Sequence, residues 1–499
     1  MSRLRRAVAA TLLSSFPGER VPAWLARRVD EGLGGVCLYG SNREADPPAV
    51  SARLHGLRPD VLVALDEEGG DVTRLEATTG SSVPGNAALG AVDDVDLTQS
   101  VAAALGRVLA AAGVDLDLAP CADANTDPAN PVIGVRSFGA DPDLVARHTA
   151  AAVAGLQAAG VAACVKHFPG HGSVDVDSHL GLPTVAAPVD VLRRRELVPF
   201  GAAVAAGCAA VMTAHLHVPA LDDQPATVSR RILTDLLRGE LGFGGCVVSD
   251  ALDMAGIGGP HEIPANVVRA VAAGADLCCL GPDNTDELVG ACIDAVVAAV
   301  ACGDLAEARV IEAAERVARL AALRPTDPSP GPPSLDDVGG DAASRALRID
   351  GEVPAPASLA GAHVVELERP ANIAAGLVPW GIGLPLQRLD TAATAERLAE
   401  GADGHAVAAA LAAAAGRPLV VVVRDPQRRP AQAALLEALL AARPDAVVVD
   451  MGWPAATGAA AARGAARITT YGASRASGEA VAALLTGQIA AYARRTPRG

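Results

Sequence analysis

Lysine is almost missing from this chain. Of the 41 basic residues only Lys166 is a lysine, the rest being arginines. A compact ammonium on a flexible stem and a planar guanidinium bind differently, so this lone departure marks Lys166 as a residue kept for its chemistry. Aromatic residues are scarce as well, at 2%, which leaves the cores to be built from many small aliphatic contacts and suits α/β layers. Positive charge is in deficit, with a formal net charge of −16. That argues against a nucleic-acid or anionic-membrane surface, because such partners require basic patches that displace counterions. No uninterrupted apolar run reaches the ~18 residues that a membrane span requires. Cysteine is present nine times, but the number is odd and most lie inside apolar runs, as Cys37, Cys164, Cys208, Cys246, Cys278 and Cys279 do. They read as small buried thiols in a reducing, cytoplasmic compartment and not as a disulfide framework. No phosphate-binding loop and no G-x-G-x-x-G is found, so no nucleotide cofactor is expected. A neutral or small ligand remains.

At 499 residues the chain exceeds one ordinary core, and two domains are expected. Arg3, Arg5 and Arg6 followed by residues 7–16 faintly resemble a signal peptide. The helix-like stretch 21–33 follows directly, however, and leads into a strand as a barrel's first helix would. Apolar runs at 34–40, 61–66, 114–120, 161–164, 208–212, 246–249 and 276–280 predict seven buried strands with helical segments between them, the pattern of a parallel sheet. Asp66, Asp123, Lys166, His215 and Asp250 each follow the carboxyl end of one of these strands. Both a (β/α)8 barrel and an open doubly wound sheet place ligands there. Polar residues after so many separate strands favour closure, which brings all those loops to one mouth. The expectation is an α/β protein: a (β/α)8 TIM-type barrel over 1–323 whose eighth strand the sequence does not place, a proline-rich linker over 324–340, and a smaller α/β layered domain over 341–499. Strand-like runs in the latter lie at 363–367, 418–423, 446–450 and 467–471.

The densest chemistry lies after the run 161–164, in Val165-Lys166-His167-Phe168-Pro169-Gly170-His171-Gly172-Ser173-Val174-Asp175-Val176-Asp177-Ser178-His179. It holds three of the ten histidines. Pro169 stiffens the entry, and Gly170 and Gly172 allow tight turning. Asp177 and His179 are close enough for the carboxylate to accept a hydrogen bond from one ring nitrogen, fixing the tautomer and making the other nitrogen a better base. A solvated polar loop is the plainer reading. Asp250, in Val247-Val248-Ser249-Asp250-Ala251-Leu252-Asp253-Met254, ends a buried strand; it reads either as a used carboxylate or as a helix N-cap, with Asp253 as first-turn helix charge. His167, His171, Asp175, Asp177 and His179, joined by His215 and His217, also read as a metal set. Two glycines and a proline within the run, and no H-E-x-x-H or cysteine pair beside it, argue against one.

The run from Lys166 to Gly172, four residues, then Asp177-Ser178-His179 resembles the signature of family 3 glycoside hydrolases of the β-N-acetylhexosaminidase branch, matching without a gap. The resemblance extends over roughly the first three hundred residues and more loosely to the second domain. It implies removal of non-reducing terminal β-linked N-acetylglucosamine by a retaining, two-step mechanism through a covalent glycosyl-aspartate. Carried onto this chain, it implies Asp250 as nucleophile, His179 as acid/base and Asp177 as the dyad partner, where most of the family uses a glutamate contributed elsewhere. It implies Asp66, Arg74, Arg136, Lys166 and His167 as substrate-binding residues, a small carbohydrate as the partner, and neither cofactor nor metal. Glu67 stands where the family usually has glutamine and Asp71 where it usually has arginine, departures that bear on the outer subsite. The alternatives are a phosphorylase or broader β-glucosidase of the same fold, or an inactive sugar-binding protein.

Overall fold

The computed structural model describes residues 2–323, 334–369, 373–454 and 466–488. They divide into two compact units, the first comprising Met1–Glu68, Val95–Ile133 and Ser137–Pro333, and the second Gly69–Asp94, Gly134–Arg136 and Ser334–Gly499.

The first unit holds eight parallel strands: β1 Leu12–Ser14, β2 Gly35–Leu38, β3 Leu62–Leu65, β4 Leu116–Asp117, β5 Ala162–Phe168, β6 Ala210–Thr213, β7 Cys246–Val248 and β8 Cys278–Cys279. They pair in the order β7-β6-β5-β4-β3-β2-β1-β8, and a parallel bridge between Val248 and Leu277 closes the ring between β7 and β8. The expected barrel is therefore present. The strand missing from the sequence reading is β1, three buried residues directly after the helix Arg3–Ala10. The segment with a faint leader-like appearance thus holds a helix and the barrel strand β1, which pairs to β2 through Leu13 and Gly35 and to β8 through Leu12 and Cys278.

Strands covered on both faces read as near-continuous apolar runs. One buried cluster takes side chains at alternate positions, Leu62 and Ala64, Ala162 and Cys164, Ala210 and Met212, Cys246 and Val248, together with Leu13, Cys37, Leu116 and Cys279. Alanine and cysteine fill this core in place of aromatic rings. At the amino end of β8, buried Asp276 accepts from the Val247 N–H at 2.9 Å and pairs with Arg238 at 2.6 Å, with Arg316 at 3.4 Å and with Arg309. Removing one partner of a buried ion cluster strands the other charges, so Asp276→Ala is expected to destabilise the barrel by about 3–5 kcal/mol. Calorimetry checks this; an unchanged melting temperature contradicts it.

The second unit is a six-stranded sheet of β9 Arg348–Gly351, β10 His363–Leu367, β11 Thr394–Leu398, β12 Leu419–Val423, β13 Val447–Asp450 and β14 Ala466–Thr469. The order is β11-β10-β12-β13-β14-β9, and only β9 runs antiparallel to its neighbour. Buried apolar clusters line it, one around Val364, Val420 and Val449 and another around Val365, Val421 and Val448, as expected of a layered α/β unit.

Two boundaries differ from expectation. Most of the proposed linker, 324–333, lies outside the described residues, but its end, 335–340, opens the helix Leu335–Ala346, capped by Ser334 accepting from the Asp337 N–H at 3.2 Å. The expected division in chain order also gives way to one in space, with Gly69–Asp94 and Gly134–Arg136 grouped with the second sheet. Their polar contacts explain why: Asp71 pairs with Arg424 and accepts from the Ala473 N–H at 2.8 Å, Glu76 pairs with Arg475 at 3.1 Å, and Asp94 with Arg345 at 2.6 Å. Among the described residues no helix is long and apolar enough to cross a membrane.

Candidate active site

The polar residues of the first unit gather at the carboxyl ends of its strands, where a (β/α)8 barrel collects its functional side chains. The sole lysine lies near the end of β5. It is 2% exposed, and its Nζ sits 2.5 Å from Asp66 and 2.7 Å from Glu68. An ammonium taken out of water requires such partners. Close by, Asp117 is fully buried with Oδ2 unpaired. Burial pushes its carboxyl well above the usual range, against the lowering influence of the Glu67 N–H and Lys166.

His167 is held by Asp123, a fully buried residue that the sequence marks only as an acid after a strand. The His167 Nδ1–H donates to Asp123 Oδ2 at 2.7 Å, while the His171 backbone N–H reaches Oδ1 at 2.6 Å. Burial opposes the charge on Asp123, but His167 and His171 outweigh it and hold the carboxyl at about 2. The Cys121 thiol also donates to Asp123, at 3.2 Å. Cys121, Asp123 and His167 thus bring potential ligand atoms within 4.8 Å of one another, and their proximity follows from these hydrogen bonds.

Beyond β5 the backbone passes close to its neighbours. Gly172 meets the Ala124 carbonyl so closely that a Cβ would lie 1.8 Å from the oxygen, so glycine is required for close approach and not only for turning. Asn130 Nδ2 donates to the His171 carbonyl at 2.8 Å, and Ser173 Oγ to buried Glu196 at 2.8 Å. Past this anchored part, the His179 Nδ1–H donates to Asp177 Oδ1 at 2.7 Å, as the two-residue spacing predicts. Burial opposes ionisation of Asp177, but the hydrogen bonds from His179 win and hold its carboxyl below the usual range.

Asp250 follows β7. Its N–H lies 3.3 Å from Thr213 Oγ1, and its Oδ1 accepts from the Ala251 N–H at 2.8 Å. Burial works against its charge, yet His215, His167 and His179 together keep its carboxyl below the usual range, leaving an ionised carboxylate among histidines drawn from the ends of β5 and β6. His215, flagged in the sequence without a role, now has one: its Nε2–H donates to the Ala251 carbonyl at 2.9 Å and its Nδ1 lies 2.8 Å from the Thr227 hydroxyl. It positions the backbone that carries Asp250, and burial lowers its basicity. The Gly256 N–H donates to the Ser178 carbonyl at 3.0 Å, joining the segment after Asp250 to the Asp177–His179 loop.

Asp253 departs from expectation. It lies in a turn before the short 3-10 helix Ala255–Ile257, not in the first turn of a helix. Its Oδ1 is buried without a partner. Burial, with the Asp250 charge adding to it, pushes the carboxyl up to about 6. A carboxyl raised from 3.8 by folding favours the folded state fully below about pH 4, and that advantage is lost as pH rises through about 6. Asp253→Asn is therefore expected to raise the melting temperature at about pH 8 and to flatten its fall from acid to alkaline pH. Parallel melting curves for the two proteins would contradict this.

Of the residues implied in substrate binding, Asp66, Lys166 and His167 lie in the first unit with Asp177, His179 and Asp250, whereas Arg74 and Arg136 belong to the second. Arg74 donates to the Ala374 carbonyl at 2.7 Å and the Ala375 carbonyl at 3.3 Å; buried Arg136 accepts at its own carbonyl from Asn86 Nδ2 at 2.7 Å. Sequence reasoning missed Glu68 and Thr227 and placed Asp123 after a strand without its role toward His167, because these roles depend on contacts between distant segments.

Residues 34–320 match the family model described as the glycosyl hydrolase family 3 N-terminal domain. The chain is 37% identical over 270 residues to Beta-hexosaminidase A of Pseudoalteromonas piscicida, covering 49% of this chain and 45% of that one. It is 39% identical over 271 residues to a Beta-hexosaminidase of Chromobacterium violaceum, covering 52% and 75%. It thus spans less than half the length of the first and three quarters of the second. A solved glycoside hydrolase family 3 β-N-acetylglucosaminidase from Paenibacillus sp. str. FPU-7 superimposes with a TM-score of 0.87 at 33% identity, covering 99% of this chain and 98% of that one. With the strand-end acids, the histidine loop and the barrel agreeing with a match over residues 34–320, the chain belongs to glycosyl hydrolase family 3.

Proposed function

We propose that this chain is a retaining glycoside hydrolase that removes non-reducing terminal β-linked N-acetylglucosamine through a covalent glycosyl-aspartate intermediate. The observation that carries the reading is the 2.7 Å contact from His179 Nδ1 to Asp177, made beside an Asp250 that stays ionised. Asp250 attacks the anomeric carbon while His179, with Nδ1 committed to Asp177, delivers the Nε2 proton to the leaving oxygen. The C–O bond breaks and the aglycone departs as an alcohol. Neutral His179 then takes a proton from water, which attacks the glycosyl-aspartate from the face the aglycone left. Two inversions give net retention. Asp66, Arg74, Arg136, Lys166 and His167 are the proposed sugar-binding residues, with Asp123 fixing the His167 ring. The ligand is a small carbohydrate, with nucleic acid disfavoured by the net charge of −16. All nine cysteines are free thiols and eight are buried, which supports a cytoplasmic setting.

The test is a panel of nitrophenyl β-glycosides with and without the acetamido group, the products followed by proton NMR. Turnover should require the acetamido sugar, and the β-anomer should appear first. Initial formation of the α-anomer would overturn the mechanism, and equal turnover of plain glucosides the substrate. A second reading rests on the dyad: unlike a glutamate, His179 is neutral when the glycosyl-enzyme awaits its acceptor and does not repel phosphate. Phosphorus NMR across a phosphate titration distinguishes phosphorolysis, which yields a sugar 1-phosphate, from hydrolysis, which yields none.

A further inference from the structure

His171 is the histidine of the loop that the mechanism above does not use. We propose that His171 is a positioning residue that, through its hydrogen bond to Ser178, holds the Asp177–His179 segment in register with His167. The inference rests on His179 being the acid/base and adds to it the means by which the acid is kept in place.

The backbone and ring face of His171 are anchored. Its backbone N–H donates to the Asp123 carboxylate at 2.6 Å, and its carbonyl accepts from Asn130 at 2.8 Å. Its ring packs edge-on against His167 with centroids 5.8 Å apart. From this fixed base Nε2 reaches 3.0 Å to the Ser178 hydroxyl. Ser178 stands between the two dyad residues, so the contact ties both to the carboxylate that orients His167. Both ends are shielded, His171 and Ser178 being 2% exposed each.

The segment being held has little packing of its own. Val176, Leu180 and Leu182, which surround the dyad in sequence, are 40%, 73% and 41% exposed. A stretch that buries so little apolar surface is fixed mainly by polar contacts, and those that tie it to neighbouring segments include the His171 strut and the Gly256 N–H on the Ser178 carbonyl at 3.0 Å.

The residue type is also poorly explained by stability alone. His171 Nδ1 is buried without a partner, and leaving a buried polar atom unpaired is unfavourable. An apolar side chain would avoid that loss. Burial also draws the imidazole down to about 4, so the strut stays neutral at working pH and adds no charge beside Asp250.

The test measures kcat/KM for Ser178→Ala, His171→Ala, His171→Gln, the Ser178→Ala/His171→Ala pair and His179→Ala. Each is assayed on a β-N-acetylglucosaminide with an alkyl or sugar aglycone and on one with a dinitrophenyl aglycone, which leaves without protonation. Because a small misplacement of a catalytic group can cost on the order of 10²-fold, Ser178→Ala and His171→Ala are expected to lose about that on the poor leaving group and far less on the good one. The double variant should lose no more than the worse single, as expected of residues acting through one contact. His171→Gln, with an amide donor near the Nε2 position, should recover much of the loss. Equal losses on both aglycones, additive losses, or full activity in Ser178→Ala would overturn the strut while the leaving-group dependence of His179→Ala still upholds the dyad. If His179→Ala itself lacks that dependence, the dyad falls and the strut with it. Ser178→Ala, a change of one atom, keeps the test decisive should His171→Ala fail to fold.

Discussion

Asp250→Ala should lower turnover of any β-N-acetylglucosaminide by ~10⁴-fold or more, the scale of loss when a covalent enzyme is deprived of its nucleophile. The reason is positional as well as chemical. Asp250 is the carboxylate whose charge is sustained by His215, His167 and His179 against burial, and Asp253, the nearest acid in sequence, is pushed the other way, up to about 6. The space vacated by the carboxylate should admit azide. Added azide should then restore turnover of an activated substrate, attacking from the face Asp250 occupied and yielding the α-glycosyl azide. Asp250→Asn preserves the side-chain shape and an oxygen for the Ala251 N–H now bound at 2.8 Å, and it should be nearly as inactive. Retention of more than about a hundredth of the activity in both variants would remove Asp250 from the nucleophile's role.

His179→Ala carries the second large effect. General acid/base assistance is typically worth ~10²–10⁴-fold, and that loss is expected where the leaving group needs a proton. A dinitrophenyl aglycone leaves as a stable anion, so formation of the glycosyl-enzyme should survive, while the second step, which needs a base to deprotonate water, becomes limiting. The signature is a burst of dinitrophenolate followed by slow turnover. Asp177→Asn should show a milder form of the same defect, because the amide no longer stabilises charged His179 through the 2.7 Å contact. Stopped-flow absorbance separates the two steps. Equal slowing of glycosylation for poor and good leaving groups would mean that His179 is not the acid.

How far the sequence disclosed this protein depends on how local each determinant is. Strands buried on both faces, such as β3 and β12, are legible because every residue is apolar. β1 escaped notice because three residues following an alanine-rich helix carry no period of their own. β9 and β11 escaped because they form the two edges of their sheet and carry polar residues, with exposed or half-exposed positions along Arg348–Gly351 and Thr394–Leu398. The site divides in the same way. Lys166, the Asp177–His179 pair and Asp250 announce themselves by rarity, spacing and strand ends. The role of Asp123, which the sequence places only at a strand end, and the residue Thr227 itself are not legible, since the contacts from Asp123 to His167 and from Thr227 to Thr213 join residues 44 and 14 positions apart. Nor does the sequence show that Asp71, standing where the family usually has arginine, takes Arg424 as its partner and so draws its segment into the second unit.

The central claim is that the sugar becomes covalently attached to Asp250. The most direct measurement is to incubate the protein with a fluorinated N-acetylglucosaminyl donor that forms the glycosyl-enzyme faster than it is released, digest it, and locate the added mass by tandem spectrometry. The account predicts one sugar per chain, on the Asp250 carboxylate, and no adduct in Asp250→Asn. An adduct on Asp253 or Asp123, or turnover of the donor with no adduct at any time, would contradict it.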